Sequence, residues 1–212
     1  LLGEARREEA VKSLKKATEG ASEPEYWSAF GNALEAPSSL PEAQAAYQQA
    51  SLLDDTYAEP ILGLARIHIA RREFGAALRE LDRAGKIDPD NPELWNMMGE
   101  AHFTLSKYDL AIEAYKQSLL RAPNVPEILY RLGKAYDAAG DGRGEIEALK
   151  QAIDKGAANA PWRPEALRLL GYRYRVDNRQ KEMCEAFGQY LQIAPATDRM
   201  RGAVKSDSAG CR

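Results

Sequence analysis

An eight-residue phrase recurs along the chain as PEYWSAFG at 24–31, PELWNMMG at 92–99, PEILYRLG at 126–133 and PEALRLLG at 164–171. Pro92 and Pro126 are 34 residues apart, Pro24 and Pro92 twice that, and the skipped register at 58 reads AEPILGLA, a degenerate copy. A fixed period of this length points to helix-turn-helix units, each burying its apolar face against its neighbours. The phrase itself starts a helix. Proline in the first helical turn forfeits no hydrogen bond, and the adjacent glutamate faces the positive end of the helix dipole. Apolar letters spaced by 3 and 4 then form one buried stripe. Glycine inside a helix costs about 1 kcal/mol against alanine, so its return at the phrase's end implies that another helix must come close there.

With Pro92 as position 1, the third copy places Trp95 at position 4, Met98 at 7, Gly99 at 8, His102 at 11, Tyr108 at 17, Ala111 at 20, Tyr115 at 24, Ser118 at 27 and Pro123 at 32. Positions 4, 7 and 8 hold Trp27, Phe30 and Gly31 in the first copy, and Ile61, Leu64 and Ala65 in the second. They hold Leu129, Leu132 and Gly133 in the fourth, and Leu167, Leu170 and Gly171 in the fifth. This alternation of large and small residues, closed by proline, resembles the tetratricopeptide repeat (TPR). The resemblance implies an all-α, right-handed superhelix (α-solenoid) of five TPR units, at 24–57, 58–91, 92–125, 126–163 with a four-residue insertion, and 164–197. Residues 1–23 read as the second helix of a partial preceding repeat, since Ala10, Leu14 and Ala17 repeat the spacing of positions 20, 24 and 27. Residues 198–212 read as a short capping helix, with Met200, Ala203 and Val204 as its apolar face, and a polar tail.

Composition narrows the functional classes. The chain of 212 residues carries a net charge of −3, so no electrostatic footprint for nucleic acid is present. No apolar run reaches the ~18 residues that a membrane-spanning helix needs. Cys184 and Cys211 are two cysteines in a long chain without CxxC spacing; Cys184 reads as a small packed apolar group, and a reducing compartment is expected. The expected location is the cytoplasm, with the periplasm as the alternative, because the chain begins at Leu1 rather than Met and a targeting segment would be unseen.

Nothing resembles catalytic machinery. His68 and His102 both fall at position 11, the slot of Tyr136 and Tyr174, which favours packed histidines over metal ligands. No nucleophile and base stand at a recognisable spacing, so no catalytic residue, cofactor or metal is expected. The glycine-rich AGDGRG at 139–144 lacks the preceding strand and following lysine of a phosphate loop and reads as a flexible turn. Repeat 4 also departs from pattern in placing Glu145 at the small position 20.

Function then falls to the surface. In TPR arrays the first helix of each repeat lines a concave groove, which the resemblance carries to positions 2, 5, 6, 9, 12 and 13. Apolar and aromatic residues at those positions, including Leu62, Met97, Phe103, Tyr130, Leu169, Tyr172 and Val176, would face solvent without a partner. With Arg66, Arg131, Lys134, Arg168 and Arg175 they define the expected partner-binding groove, strongest over repeats 3–5. Residues 24–57, with Glu25 and Glu35, carry five acids and no base; residues 164–212 carry six acids and nine bases. That asymmetry suits an acidic, partly apolar segment of another protein, or head-to-tail self-association. The expected function is a non-catalytic protein-protein interaction scaffold. The alternative is the partner-recruiting or regulatory portion of a larger enzyme or of a periplasmic assembly factor.

Overall fold

A computed structural model describes residues 2–34 and 39–211, with side chains described from residue 8 onward. Glu35 and Arg212 lie outside the described residues. The fold is all-α, with no strand among the described residues. It divides into two compact units, residues 1–105 and 106–212.

The first unit contains α1 (Leu2–Thr18), α2 (Pro24–Ala33), α3 (Leu40–Leu53), α4 (Ala58–Ala70), α5 (Phe74–Ile87) and α6 (Pro92–Thr104). The second contains α7 (Tyr108–Arg121), α8 (Pro126–Ala139), α9 (Gly142–Lys155), α10 (Arg163–Val176), α11 (Gln180–Ile193) and α12 (Arg201–Asp207). The repeated prolines do what their position dictates: Pro24, Pro92 and Pro126 open α2, α6 and α8, and Pro164 lies in the first turn of α10. Capping is local chemistry. The Asn91 side chain accepts from the Glu93 amide at 3.0 Å, and Asp141 accepts from the Gly144 amide at 2.9 Å.

The turns inside repeats 2 to 5 reuse one backbone state. Arg72, Ser106, Gly140 and Asn178 all have positive φ, and all occupy repeat position 15. Glycine and asparagine suit that left-handed conformation, whereas arginine and serine adopt it at a cost. The glycine-rich segment is therefore no loose loop. Its turn is only Gly140 and Asp141; Gly142 and Gly144 lie inside α9, where a Cβ would meet the Arg173 guanidinium at 2.8 Å and the Tyr136 ring at 2.7 Å.

Within the first unit, Phe30, Leu34, Tyr47, Leu64 and Ile67 form one core, and Ile61, Leu81, Leu94 and Met97 belong to another. Tyr47 at position 24 fills the space that two glycines leave. A Cβ at Gly31 would come within 2.6 Å of its ring, and one at Gly63 within 2.4 Å, while its hydroxyl donates to Asn32 Oδ1 at 2.7 Å. Trp27 and Trp95, both at position 4, each donate their indole N–H to the carbonyl six residues back, at Ala21 and Pro89. His68 is half-buried with its Nδ1 2.7 Å from Glu73 Oε2.

In the second unit, Leu149, Leu167, Leu170, Phe187, Tyr190 and Val204 share one core. The expectation that Cys184 is a free, packed thiol is overturned. Cys184 and Cys211 form a disulfide with their Cα atoms 5.4 Å apart, a normal span for the bridge. The capping segment brings this about: α12 lays Val204 into the core, and the turn after it carries Cys211 back to α11. The 27 residues that separate the two cysteines hid the pairing from a reading based on spacing alone.

Candidate functional site

The residues expected to line a groove fall into two sets, one in each unit. In the first unit, glutamate at position 2 of α4 and α6 meets Arg66 at position 9 of α4. Arg66 donates to Glu59 at 2.9 Å, to Glu93 at 2.7 Å and to Asn32 at 3.3 Å. The guanidinium is therefore tied down by neighbouring helices rather than held open. Phe103 is half-buried on α6. Met97 is 5% exposed and Leu62 1%, so both are core residues and not the solvent-facing apolar groups expected from their register. The reason is geometric: successive first helices pack on one another, and their positions 5 and 6 partly face the adjacent helix rather than open solvent.

In the second unit the expected residues converge more closely. Glu165, at the start of α10, accepts from the Tyr130 hydroxyl at 2.6 Å, pairs with Lys134 at 3.3 Å and lies 4.0 Å from Arg168. Burial alone would raise the Glu165 carboxyl, yet the Tyr130 hydrogen bond and the Lys134 and Arg168 charges hold it below the usual glutamate value. Burial, then the Glu165 hydrogen bond and charge, push the Tyr130 phenol well above its ordinary value.

Tyr130 is 8% exposed, which corrects its placement as a solvent-facing anchor. Its ring stacks on Trp162 at 5.5 Å between centroids, and Lys134 lies 5.5 Å from its face. Trp162 comes from the four-residue insertion and was not singled out as a site residue. A tryptophan directly after the small-residue stretch AANAP was the available signal.

Further along the same face, Tyr172 is half-buried, packs edge-on against Phe187 at 5.2 Å and lies under Arg175 at 4.9 Å and Arg168 at 5.9 Å. Leu169 is half-buried against the core, whereas Val176 is exposed. Arg131 pairs with Glu127 within α8 at 2.7 Å. Arg175 pairs with Asp207 of α12 at 2.7 Å. Arg168 also forms part of the wall of an open cleft of about 770 Å³, shared with Pro161, Pro164, Ile193, Pro195 and Met200. Among the described residues, no group of three or more His, Cys, Asp or Glu is placed to hold a metal ion. No helix described is long and apolar enough to cross a membrane.

Two tetratricopeptide repeat family models match the chain, over residues 38–101 and 96–161. The chain belongs to the tetratricopeptide repeat family. A TPR protein, YrrB, whose structure is described as having an unusual peptide-binding site, superposes with a TM-score of 0.76 over 93% of this chain and 100% of its own, at 19% identity. MamA gives a TM-score of 0.69 over 77% of this chain and 93% of its own, at 21% identity. These likenesses carry the fold.

Among curated relatives, the general transcriptional corepressor ssn6 of Schizosaccharomyces pombe is 29% identical over 132 residues, 61% of this chain and 12% of the relative. The cytochrome c-type biogenesis protein CycH of Bradyrhizobium diazoefficiens is 29% identical over 119 residues, 56% of this chain and 32% of the relative. The TPR chain thus spans a minor part of the curated relatives it matches. TPR arrays are protein-protein interaction scaffolds, and the fold is generally non-catalytic.

Proposed function

We propose that the TPR chain is a non-catalytic scaffold that binds an acidic, partly apolar segment of another protein across the second unit, beside Arg168, Tyr172 and Leu169. The observation that carries this reading is Arg168. It lies between the Glu165 carboxylate, the Tyr172 ring and a mixed cleft in which prolines, Ile193 and Met200 stand beside Asp198 and Arg199. A guanidinium over an aromatic face beside apolar recesses suits a peptide that alternates carboxylates with apolar side chains.

The peptide-binding site named for YrrB supports the class of ligand, though not its position. Arg66, Met97 and Phe103 drop to a lesser role in this proposal, because Arg66 is already held by Glu59 and Glu93 and Met97 is core. The paired cysteines favour work in an oxidising compartment, which is the periplasmic alternative rather than the cytoplasm.

The test is fluorescence anisotropy with a labelled synthetic peptide of alternating glutamate and leucine, measured from 50 to 300 mM salt. Binding should weaken with salt. Arg168→Glu should weaken it about tenfold or more, because a reversed charge adds repulsion to the lost pair. Binding lost on Glu25→Lys and unchanged on Arg168→Glu would place the site in the first unit and sink this reading.

A further inference from the structure

The disulfide occupies a register that the array has already used. Counting from Pro24, Gln44 stands at repeat position 21, and counting from Ala58, Arg71 stands at position 14; the Arg71 guanidinium donates to Gln44 Oε1 at 2.6 Å. Counting from Pro164, Cys184 also stands at position 21. If a further unit is counted from Asp198, Cys211 stands at its position 14 and Val204 at its position 7, the slot of Phe30, Leu64, Leu132 and Leu170. Val204 is fully buried, and those four residues are buried too. The segment 198–211 therefore replaces the first helix of a sixth repeat, with a covalent bond where repeats 1 and 2 have a hydrogen bond.

This substitute helix is short. α12 has seven residues, well below the length at which a helix persists alone in water. It stays on α11 through Val204, the Arg201 hydrogen bond to the Ala194 carbonyl at 2.7 Å, and the disulfide. In that position it holds Asp207 against the proposed groove. The Asp207 carboxylate pairs with Arg175 at 2.7 Å, and that guanidinium lies over the Tyr172 ring at 4.9 Å. Arg175 and Tyr172 belong to the face that was assigned to an acidic segment, and Asp207 supplies the carboxylate chemistry such a segment would bring.

We infer that α12 is a redox-latched internal competitor: the Cys184–Cys211 bond holds Asp207 on Arg175, and reduction releases it to admit an acidic partner segment. The inference rests on the groove reading above. The chemistry is thiol-disulfide exchange with a dithiol reductant. One reductant thiolate attacks a protein sulfur, the S–S bond breaks, and the departing cysteine thiolate takes up a proton. The second reductant thiol then attacks the mixed disulfide. Two electrons and two protons pass to the protein, which gains two thiols, and the reductant leaves as its own disulfide. Both cysteines are only partly buried, so a reductant has access.

The experiment uses the full chain in four forms: oxidised, reduced with a dithiol, Cys184→Ser with Cys211→Ser, and Asp207→Asn left oxidised. Hydrogen exchange over 198–211 reads the latch, and anisotropy with the glutamate-leucine peptide reads the groove. Reduction and the double serine variant should both speed exchange in 198–211. They and Asp207→Asn should bind the peptide about two- to fivefold more tightly, the factor that one partly exposed ion pair represents. Equal protection of 198–211 in both redox states overturns the latch. Unchanged affinity in the reduced and Asp207→Asn forms, with binding still lost on Arg168→Glu, overturns the competition and leaves the groove standing. Peptide binding that is absent or indifferent to Arg168→Glu in every form removes the groove reading and the competition with it.

Discussion

Gly171 lies so close under Phe187 that a Cβ placed on it would come within 2.3 Å of the ring. The pair joins position 8 of α10 to position 24 of α11, and Gly31 with Tyr47 and Gly133 with Leu149 repeat it. The recurring glycine is thus the complement of a large side chain on the partner helix.

Gly171→Ala should therefore destabilise the second unit by about 1–3 kcal/mol, despite the better helix propensity of alanine. Gly188, on α11, is the control, since a Cβ there meets nothing within 4 Å. Gly188→Ala should stabilise by up to about 1 kcal/mol. Urea unfolding of both variants checks the pair. A Phe187→Leu change should recover part of the Gly171→Ala loss, as residues in contact are not additive.

Glu145 is 2% exposed at a position where the first three repeats hold alanine. Burial first, and then the negative charges of Asp137 and Asp177 against the opposing Arg173, push its carboxyl up to about 7. The folded state thus holds a proton that the unfolded chain releases near the ordinary value. Stability from this group is present below about pH 4.5 and is lost as pH rises towards 7, by about 3 kcal/mol at most. Glu145→Gln should be neutral at pH 4.5 and stabilising by about 1–3 kcal/mol at pH 8. Denaturant melts of variant and native protein at the two pH values give the difference directly.

Reducing the disulfide should cost stability at the C-terminal end alone. Opening a cross-link that spans 27 residues is worth about 3–4 kcal/mol in the chain-entropy picture. In a quasi-one-dimensional array that loss stays with its nearest neighbours. Guanidinium melts with and without a dithiol should shift the transition reported by Trp162 and leave the one reported by Trp27 and Trp95 in place. Single-tryptophan variants separate the two signals.

Helix starts and the close-contact glycines were legible because each follows from a local rule repeated at 34 residues. Proline begins a helix wherever it recurs, and a small residue must face a large one. The site was less legible. Register says that position 5 lies on the inner face of a repeat, but whether Leu62 or Tyr130 reaches solvent depends on the next repeat, which the rule does not contain. Trp162 was missed because an insertion has no register at all. The Cys184–Cys211 bond was missed for the opposite reason: it obeys the register, but of a further unit counted from Asp198, beyond the five repeats that the phrase marks.

The correction at Tyr130 reverses an expectation about its variants. A side chain on the outside of the array could be removed with little change in melting temperature. Tyr130, buried on Trp162 and bonded to Glu165, cannot. Tyr130→Ala should cost about 3–5 kcal/mol through the cavity it leaves. Tyr130→Phe keeps the ring and removes only the donor to Glu165, and should cost about 1–3 kcal/mol. It should also raise the Glu165 carboxyl, since that hydrogen bond is among the interactions holding it low. Carbon-13 titration of the Glu165 carboxyl in native and Tyr130→Phe protein reads this shift. Arg168→Glu, on a half-buried residue whose glutamate contact is 4.0 Å, should leave the melting temperature nearly unchanged. If Tyr130→Phe moves neither the stability nor the Glu165 titration, the hydrogen bond contributes nothing, and the convergence of Tyr130, Lys134 and Arg168 on Glu165 has no energetic basis.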